Sequence, residues 1–209
     1  MTGKPTNSRR ALHGMIFDLD GTLVDSGLDF AAIRRDMGLP AGSPILETLD
    51  RIPTGLEKDR MLAVLRRHEL TGAARATLYD GVREFLEWLD RRGICRAVLT
   101  RNSRESTEIV LERLGLRFET ALTREDAPPK PDPAGLLTIC GVWQLPPAQI
   151  LFCGDYAFDL EAGSRAGTRT MLFAPHGLPG FARHADHVLR SFRDAAALIE
   201  QHFVIARPS

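Results

Sequence analysis

Four clusters of polar residues stand where apolar runs end, and their chemistries complement one another. The first is Met15-Ile16-Phe17-Asp18-Leu19-Asp20-Gly21-Thr22-Leu23. An apolar strand there delivers two carboxylates one residue apart, and strand alternation aims both the same way. Two such groups repel each other unless a cation or a proton separates them. A magnesium ion, with a distinct role for each acid, resolves the conflict. The second cluster is Thr100-Arg101-Asn102-Ser103, a hydroxyl and free backbone amides at a strand-to-helix turn, which together can cradle an anion. The third is Lys130, held between prolines in Pro128-Pro129-Lys130-Pro131-Asp132-Pro133. The fourth is Gly154-Asp155-Tyr156-Ala157-Phe158-Asp159, whose two carboxylates, four apart, suit a hard, oxygen-seeking cation. Taken singly, each has a plainer explanation: an Asp-Gly turn, a helix cap, a stiff surface loop, another helix cap.

The elements that must position these groups are short. Apolar runs of strand length cover Leu12 to Phe17, Ile94 to Leu99, Ile150 to Cys153 and Thr170 to Phe173, and helical periodicity separates most of them. That alternation predicts an α/β fold, with a doubly wound, mainly parallel, Rossmann-like sheet covered by helices. Ligands of such sheets bind beyond the carboxyl ends of the strands, and Asp18, Thr100 and Asp155 fall at or just after such ends. Residues 27–77 break the alternation and read as helices with no strand: Asp29 to Met37, Pro44 to Arg51 and Glu57 to Glu69. In the last of these Met61, Leu62, Leu65 and the stem of Arg66 share one face. Asp80 is expected to cap a helix from Val82 to Arg92. Further helices are expected over Ser106 to Leu114, Pro133 to Cys140, Asp159 to Ala166 and Phe192 to His202. An edge strand is expected at His187 to Leu189 and a frayed tail from Ala206.

Composition narrows the class of protein. The chain has 209 residues, enough for one large domain or a core with a modest insert. Its 27 basic and 27 acidic side chains cancel, so no global field draws in nucleic acid or an anionic membrane. No run approaches the length needed to span a bilayer, and no apolar stretch precedes Asp18 in the manner of a secretory signal. A soluble, cytoplasmic protein is therefore expected. Cys95, Cys140 and Cys153 lie too far apart for a redox or zinc motif and read as small buried hydrophobes in a reducing compartment. The six histidines show no ligand-like spacing.

The four clusters together, in this order, resemble the haloacid dehalogenase-like hydrolase superfamily, and more narrowly its phosphoglycolate-phosphatase-like branch. The resemblance covers Leu12 to about Phe203. It implies a discontinuous α/β core, residues 1–26 and 78–209, with residues 27–77 as a small helical cap. It also implies a magnesium-dependent phosphatase acting on a small phosphorylated metabolite. In that scheme Asp18 is the nucleophile and Asp20 the acid and base. Lys130 neutralises developing charge, while Thr100, Asn102 and Gly21 serve the phosphoryl group. Magnesium is held by Asp18, the backbone carbonyl of Asp20 and Asp155, with Asp159 close by. An acid at position 20 argues against dehalogenation, because a halide leaves without a proton and an alkoxide does not. One departure is Arg101, standing where the family often has Asn directly after the Thr. Arg101, Arg34 and Arg35 are candidates for binding a second anionic group of the substrate. A phosphosugar mutase sharing Asp18 and Asp20 is the alternative enzyme, and a non-catalytic regulatory protein on the same scaffold the alternative from another class. The oligomeric state is not legible in the sequence.

Overall fold

The computed structural model describes residues 10–205; the first nine residues and the tail from Ala206 lie outside the described residues. The chain opens with β1 (Arg10–Leu12), β2 (Gly14–Phe17) and β3 (Val24–Asp25), then three helices, α1 (Phe30–Met37), α2 (Ile45–Arg51) and α3 (Leu56–Arg75). After β4 (Thr77–Leu78) it alternates: α4 (Val82–Arg91), β5 (Cys95–Leu99), α5 (Arg104–Arg113), β6 (Thr120–Leu122), α6 (Ala134–Trp143), β7 (Ile150–Gly154), α7 (Ala157–Ala166) and β8 (Arg169–Phe173). It closes with β9 (His187–Leu189), α8 (Ala195–His202) and β10 (Phe203–Ile205).

Six strands form one parallel sheet in the order β6-β5-β2-β7-β8-β9. Alternation along its central strands builds two cores. Met15, Phe17, Val98, Leu151 and Cys153 face one layer, with Phe85, Leu89 and Ile199. Ile16, Ala97, Leu99, Ile150 and Phe152 face the other, with Leu136, Ile139 and Ala162. Burial on both faces is why these strands read as continuous apolar runs. Each fully buried Leu, Ile or Phe contributes about 1.5–3 kcal/mol to keeping the layers together. The consequence for chemistry is topological. β5, β2 and β7 are neighbours, so their carboxyl ends bring the segments at Thr100, Asp18 and Asp155 side by side.

Several sequence expectations need correction. The run Leu12 to Phe17 is two strands: β1 pairs with β10 in a separate small sheet, and β2 enters the main one. The break falls at His13, where the chain passes so close to Trp143 that a Cβ on Gly14 would lie 2.7 Å from its ring. Residues 27–77 hold three helices joined by short non-helical connections, and at their end Thr77 opens β4 and pairs with Asp25 of β3. The third helix runs on to Arg75, and Leu62 and Arg66 leave its buried face: Leu62 is 39% exposed and Arg66 reaches out to Glu105 of α5. Asp80 caps nothing. Gly81, in a left-handed conformation, precedes α4, and Asp80 pairs instead with Arg193. Cys95 is exposed at the start of β5, whereas Cys140 and Cys153 are buried. β6 and β10, each three residues long, are too short to show periodicity and fall outside the expected elements. Among the described residues no helix is long and apolar enough to cross a membrane.

The helices of the insert carry their own small core of Ile33, Met37, Ile45, Leu49, Met61 and Leu65. Only Ala73, near the end of α3, and Ala76, just after it, join the core of the sheet. Arg113 of α5 donates to the carbonyls of both, and Arg75 of α3 donates to those of Ser26 and Gly27.

Candidate active site

Asp18 directly follows β2, and its N–H donates to the Cys153 carbonyl at 2.9 Å, locking the first motif to the end of β7. Across that junction Asp18, Asp155 and Asp159 each present an oxygen within 4.8 Å of the others. Lys130, delivered by the loop after β6, is buried beneath them, with Nζ 2.8 Å from Asp18 Oδ1 and 2.6 Å from Asp159 Oδ1. The other oxygen of Asp159 accepts from the Tyr156 N–H at 2.9 Å. Asp159 is thus spent on holding Lys130 and starting α7, while Asp18 and Asp155 keep carboxylate oxygens free of protein cations.

Crowding and burial set the electrostatics. Burial, then repulsion from Asp18 and Asp159, pushes the Asp155 carboxyl up to about 8, against a pull down from Lys130 and the Thr22 hydroxyl. Burial likewise pushes Asp18 up to about 6, although Lys130 beside it pulls the other way. Burial works against the charge on Lys130, yet Asp159 and Asp18 more than offset it and hold its pKa above the ordinary lysine value. A cluster of mutually repelling carboxylate oxygens, with no His or Cys among them, is the donor set of a small hard divalent cation. The glycines fit the same picture. A Cβ on Gly21, at φ +82°, would lie 2.4 Å from Asp155 Oδ2, and one on Gly154 would lie 2.3 Å from Asp159 Cγ. Gly21 therefore makes room for the Asp155 carboxylate, a nearer neighbour than the phosphoryl group expected from the sequence.

Asp20 points into the same cavity but is held differently. Its Oδ1 accepts from the Ser26 N–H at 3.0 Å and the Ser26 hydroxyl at 2.5 Å. Burial raises its pKa, and those two hydrogen bonds pull the other way. A carboxyl that holds a proton more tightly than usual is suited to donating it to a leaving group. Ser26 is a site residue that sequence reasoning missed, and Thr22, whose hydroxyl donates to Asp155 Oδ1 at 3.2 Å, belongs to the first motif but had no role assigned to it. The only hint for Ser26 was its place a few residues after that motif.

Beside these acids Thr100 is buried and its Oγ1 accepts from the Asn102 N–H at 3.1 Å, leaving the hydroxyl proton for the cavity. Asn102 also lines the cavity. Arg101 is not available to a ligand in the way its sequence position suggests. It donates to the Lys130 carbonyl at 2.6 Å and to Glu47 of α2 at 2.7 Å, and its guanidinium lies over the Phe158 ring. It bolts the Thr100 and Lys130 loops to the helical insert. Glu69 of α3 makes a second bridge, to Arg124, which also reaches the Arg101 carbonyl. Neither Glu47 nor Glu69 could be identified from the sequence, since their partners lie more than fifty positions away.

These walls enclose a cavity of about 430 Å³. Its floor is Asp18, Asp20, Lys130, Asp155 and Asp159 with Thr100 beside them. Its roof comes from the insert and is mostly apolar: Leu28, Phe30, Ile33, Ile45, Leu46 and Leu65, interrupted by Arg34 and Glu47. Asp18, Asp20, Arg34, Thr100, Arg101, Asn102, Lys130, Asp155 and Asp159, all named from the sequence as site candidates, border it, whereas Gly21 and Arg35 do not. Arg35 is exposed and turned away.

Parallel α/β architecture with acids at adjacent strand ends defines the fold and the place of the site, and comparison with known proteins names the class, a hydrolase family. The sequence profile of the haloacid dehalogenase-like hydrolases matches residues 34–173, and the chain belongs to that family. An N-acetylmuramic acid 6-phosphate phosphatase of Pseudomonas putida is 31% identical over 182 residues, covering 76% of this chain and 81% of that protein. A phosphoglycolate phosphatase of Pseudomonas syringae pv. syringae is 32% identical over 200 residues, covering 79% of this chain and 71% of that protein. The crystal structure of a predicted phosphoglycolate phosphatase from Haemophilus somnus superimposes with a TM-score of 0.72 at 25% identity, over 93% of this chain and 99% of that one.

Proposed function

We propose that this protein is a magnesium-dependent phosphatase that hydrolyses a small phosphorylated metabolite through an aspartyl-phosphate on Asp18. The observation that carries the reading is the meeting of three carboxylates within 4.8 Å, with Lys130 2.8 Å from Asp18, on the floor of a cavity that also holds Asp20 and Thr100. Asp18 and Asp155, with the Asp20 backbone carbonyl, are the residues that would hold magnesium. When bound, the ion supplies the positive charge that lets an anionic carboxylate approach a phosphate dianion. Residues 27–77 act as a cap that closes the cavity from above.

Asp18 attacks phosphorus, forming an oxygen–phosphorus bond as the bond to the alcohol oxygen breaks. Asp20 gives its proton to the departing alkoxide. Water then attacks the phosphoryl group, Asp20 takes its proton back, and the bond to Asp18 breaks to release inorganic phosphate. Lys130 fixes the Asp18 carboxylate and offsets charge that builds on the phosphoryl oxygens. The Thr100 hydroxyl and the Asn102 side chain steady the same oxygens.

Release of inorganic phosphate from p-nitrophenyl phosphate and from a panel of phosphorylated metabolites tests the reading. Turnover should require magnesium, stop in EDTA and not return with calcium, which prefers a looser and larger coordination shell. Isomerisation of a hexose phosphate without phosphate release would instead establish a mutase, and full turnover in chelator would remove the metal from the scheme.

A further inference from the structure

Two large aromatic side chains border the cavity while staying more than half exposed: Phe30 at the start of α1, and Tyr156 at the turn between β7 and α7. Tyr156 directly follows Asp155, so it stands one residue from the acids of the floor. Its N–H donates to Asp159 at 2.9 Å, which fixes its backbone. Its ring meets those of Phe158 at 5.2 Å and of Phe181, in the segment after β8, at 5.7 Å, both in edge contacts. Phe158 is fixed in turn by the Arg101 guanidinium over its ring. Two rings thus set the orientation of a third, yet 54% of Tyr156 stays exposed. A tyrosine that only fastened the segment after β8 would be covered by it. An aromatic ring held in one orientation and open at a cavity offers a stacking surface at little further cost in entropy.

The groups above the floor favour a flat guest with few hydroxyls. The charged side chains there are already engaged by protein: Glu47 with Arg101, Glu69 with Arg124, and Arg34 with the Ser43 and Phe30 carbonyls. The aliphatic side chains that border the cavity offer no hydrogen bond. A hexose or other polyol would leave more of its hydroxyls unpaired here than an aromatic alcohol would, and unpaired polar groups are costly to bury. We propose that Tyr156 selects the substrate by stacking on a planar aromatic ring, a benzene ring or a nucleobase, in the alcohol half of the phosphoester. This deepens the phosphatase reading and rests on it.

Two pairs of phosphoesters, assayed with magnesium, test the inference. Benzyl phosphate and cyclohexylmethyl phosphate both leave from a primary carbon and differ in the ring; AMP and ribose 5-phosphate differ in the nucleobase. The wild-type protein is expected to show a kcat/KM at least about threefold higher on the benzyl ester. A preference of at least about fivefold for AMP extends the site to nucleobases, and its absence restricts the site to the smaller ring. In Tyr156→Ala the preference should vanish, and in Tyr156→Phe it should persist. A wild-type protein with no aromatic preference in either pair overturns the inference, as does a preference unchanged in a folded Tyr156→Ala protein. Calorimetric Kd values for benzylphosphonate and cyclohexylmethylphosphonate read the same contrast without turnover. Equal Kd values overturn the ring site even where phosphate release is established. A protein that releases no phosphate from any ester, yet prefers benzylphosphonate through Tyr156, keeps the ring site and loses the phosphatase reading.

Discussion

The floor and the roof of the cavity are built on opposite plans. The floor is polar and crowded. Asp18, Asp155 and Asp159 converge on one another, Lys130 is buried among them, and Asp20 is tied to Ser26. The roof is a small apolar core of its own, joined to the rest by a few arginine bridges. Polar groups brought together at strand ends must be held against their own repulsion, so every floor residue has a dedicated partner. Apolar packing is non-directional and tolerates change of shape. On the proposed phosphatase reading, the floor carries the reaction and the roof adjusts which molecule undergoes it.

The contrast can be broken most severely at Asp18. Asp18→Asn should lower turnover at least about a thousandfold, read as phosphate release, because the amide is no nucleophile. Its thermal midpoint should stay close to wild type, since the exchange also relieves crowding among the acids. Lys130→Met comes next. It leaves Asp18 and Asp159 facing each other without their buried cation, a loss of about 3–5 kcal/mol where one partner of a buried pair is removed. Chemical denaturation should show that loss together with a fall in activity. In the roof, Ile33→Ala empties a fully buried position and should cost about 2–5 kcal/mol locally. Its signature should be a raised KM with a smaller change in kcat, and an equal collapse of kcat would mean that the roof takes part in the chemistry.

The mildest perturbation is pH. Asp18 and Asp155 have folded pKa values raised to about 6 and about 8, above the ordinary aspartate value of 3.8. A raised carboxyl stabilises the fold while protonated, so its contribution is complete below that ordinary value and is lost as pH climbs through the folded one. In EDTA the thermal midpoint should fall by a few degrees between pH 5 and pH 8.5, about 1 kcal/mol corresponding to about 2–4 °C at this size. Magnesium should raise the midpoint more at pH 8 than at pH 5, where protons compete for the same oxygens. A midpoint that rises with pH in EDTA would contradict this picture of the floor.

The floor was largely legible in the sequence, and the roof was not. Asp18, Asp20, Thr100, Lys130, Asp155 and Asp159 could be named because each ends an apolar strand or sits in a short stretch with its own local pattern. Glu47 and Glu69 carry no such mark. They look like ordinary surface acids on helices until Arg101 and Arg124 are seen to meet them. The misreadings have the same origin. Asp80 has the residue type and position of a helix cap, but Arg193, 113 residues away, claims it. Cys95 sits in an apolar run, yet at the first residue of its strand it is exposed.

By itself the sequence determined which residues end the strands and in what order they come, because strand periodicity and strand-end chemistry are local properties of the chain. Only the tertiary structure decided which charges remain unspent. Arg34, Arg35 and Arg101 are alike as letters, and what separates them is whether a carboxylate, a backbone carbonyl or solvent lies within a few ångströms, a distance that sequence spacing does not encode.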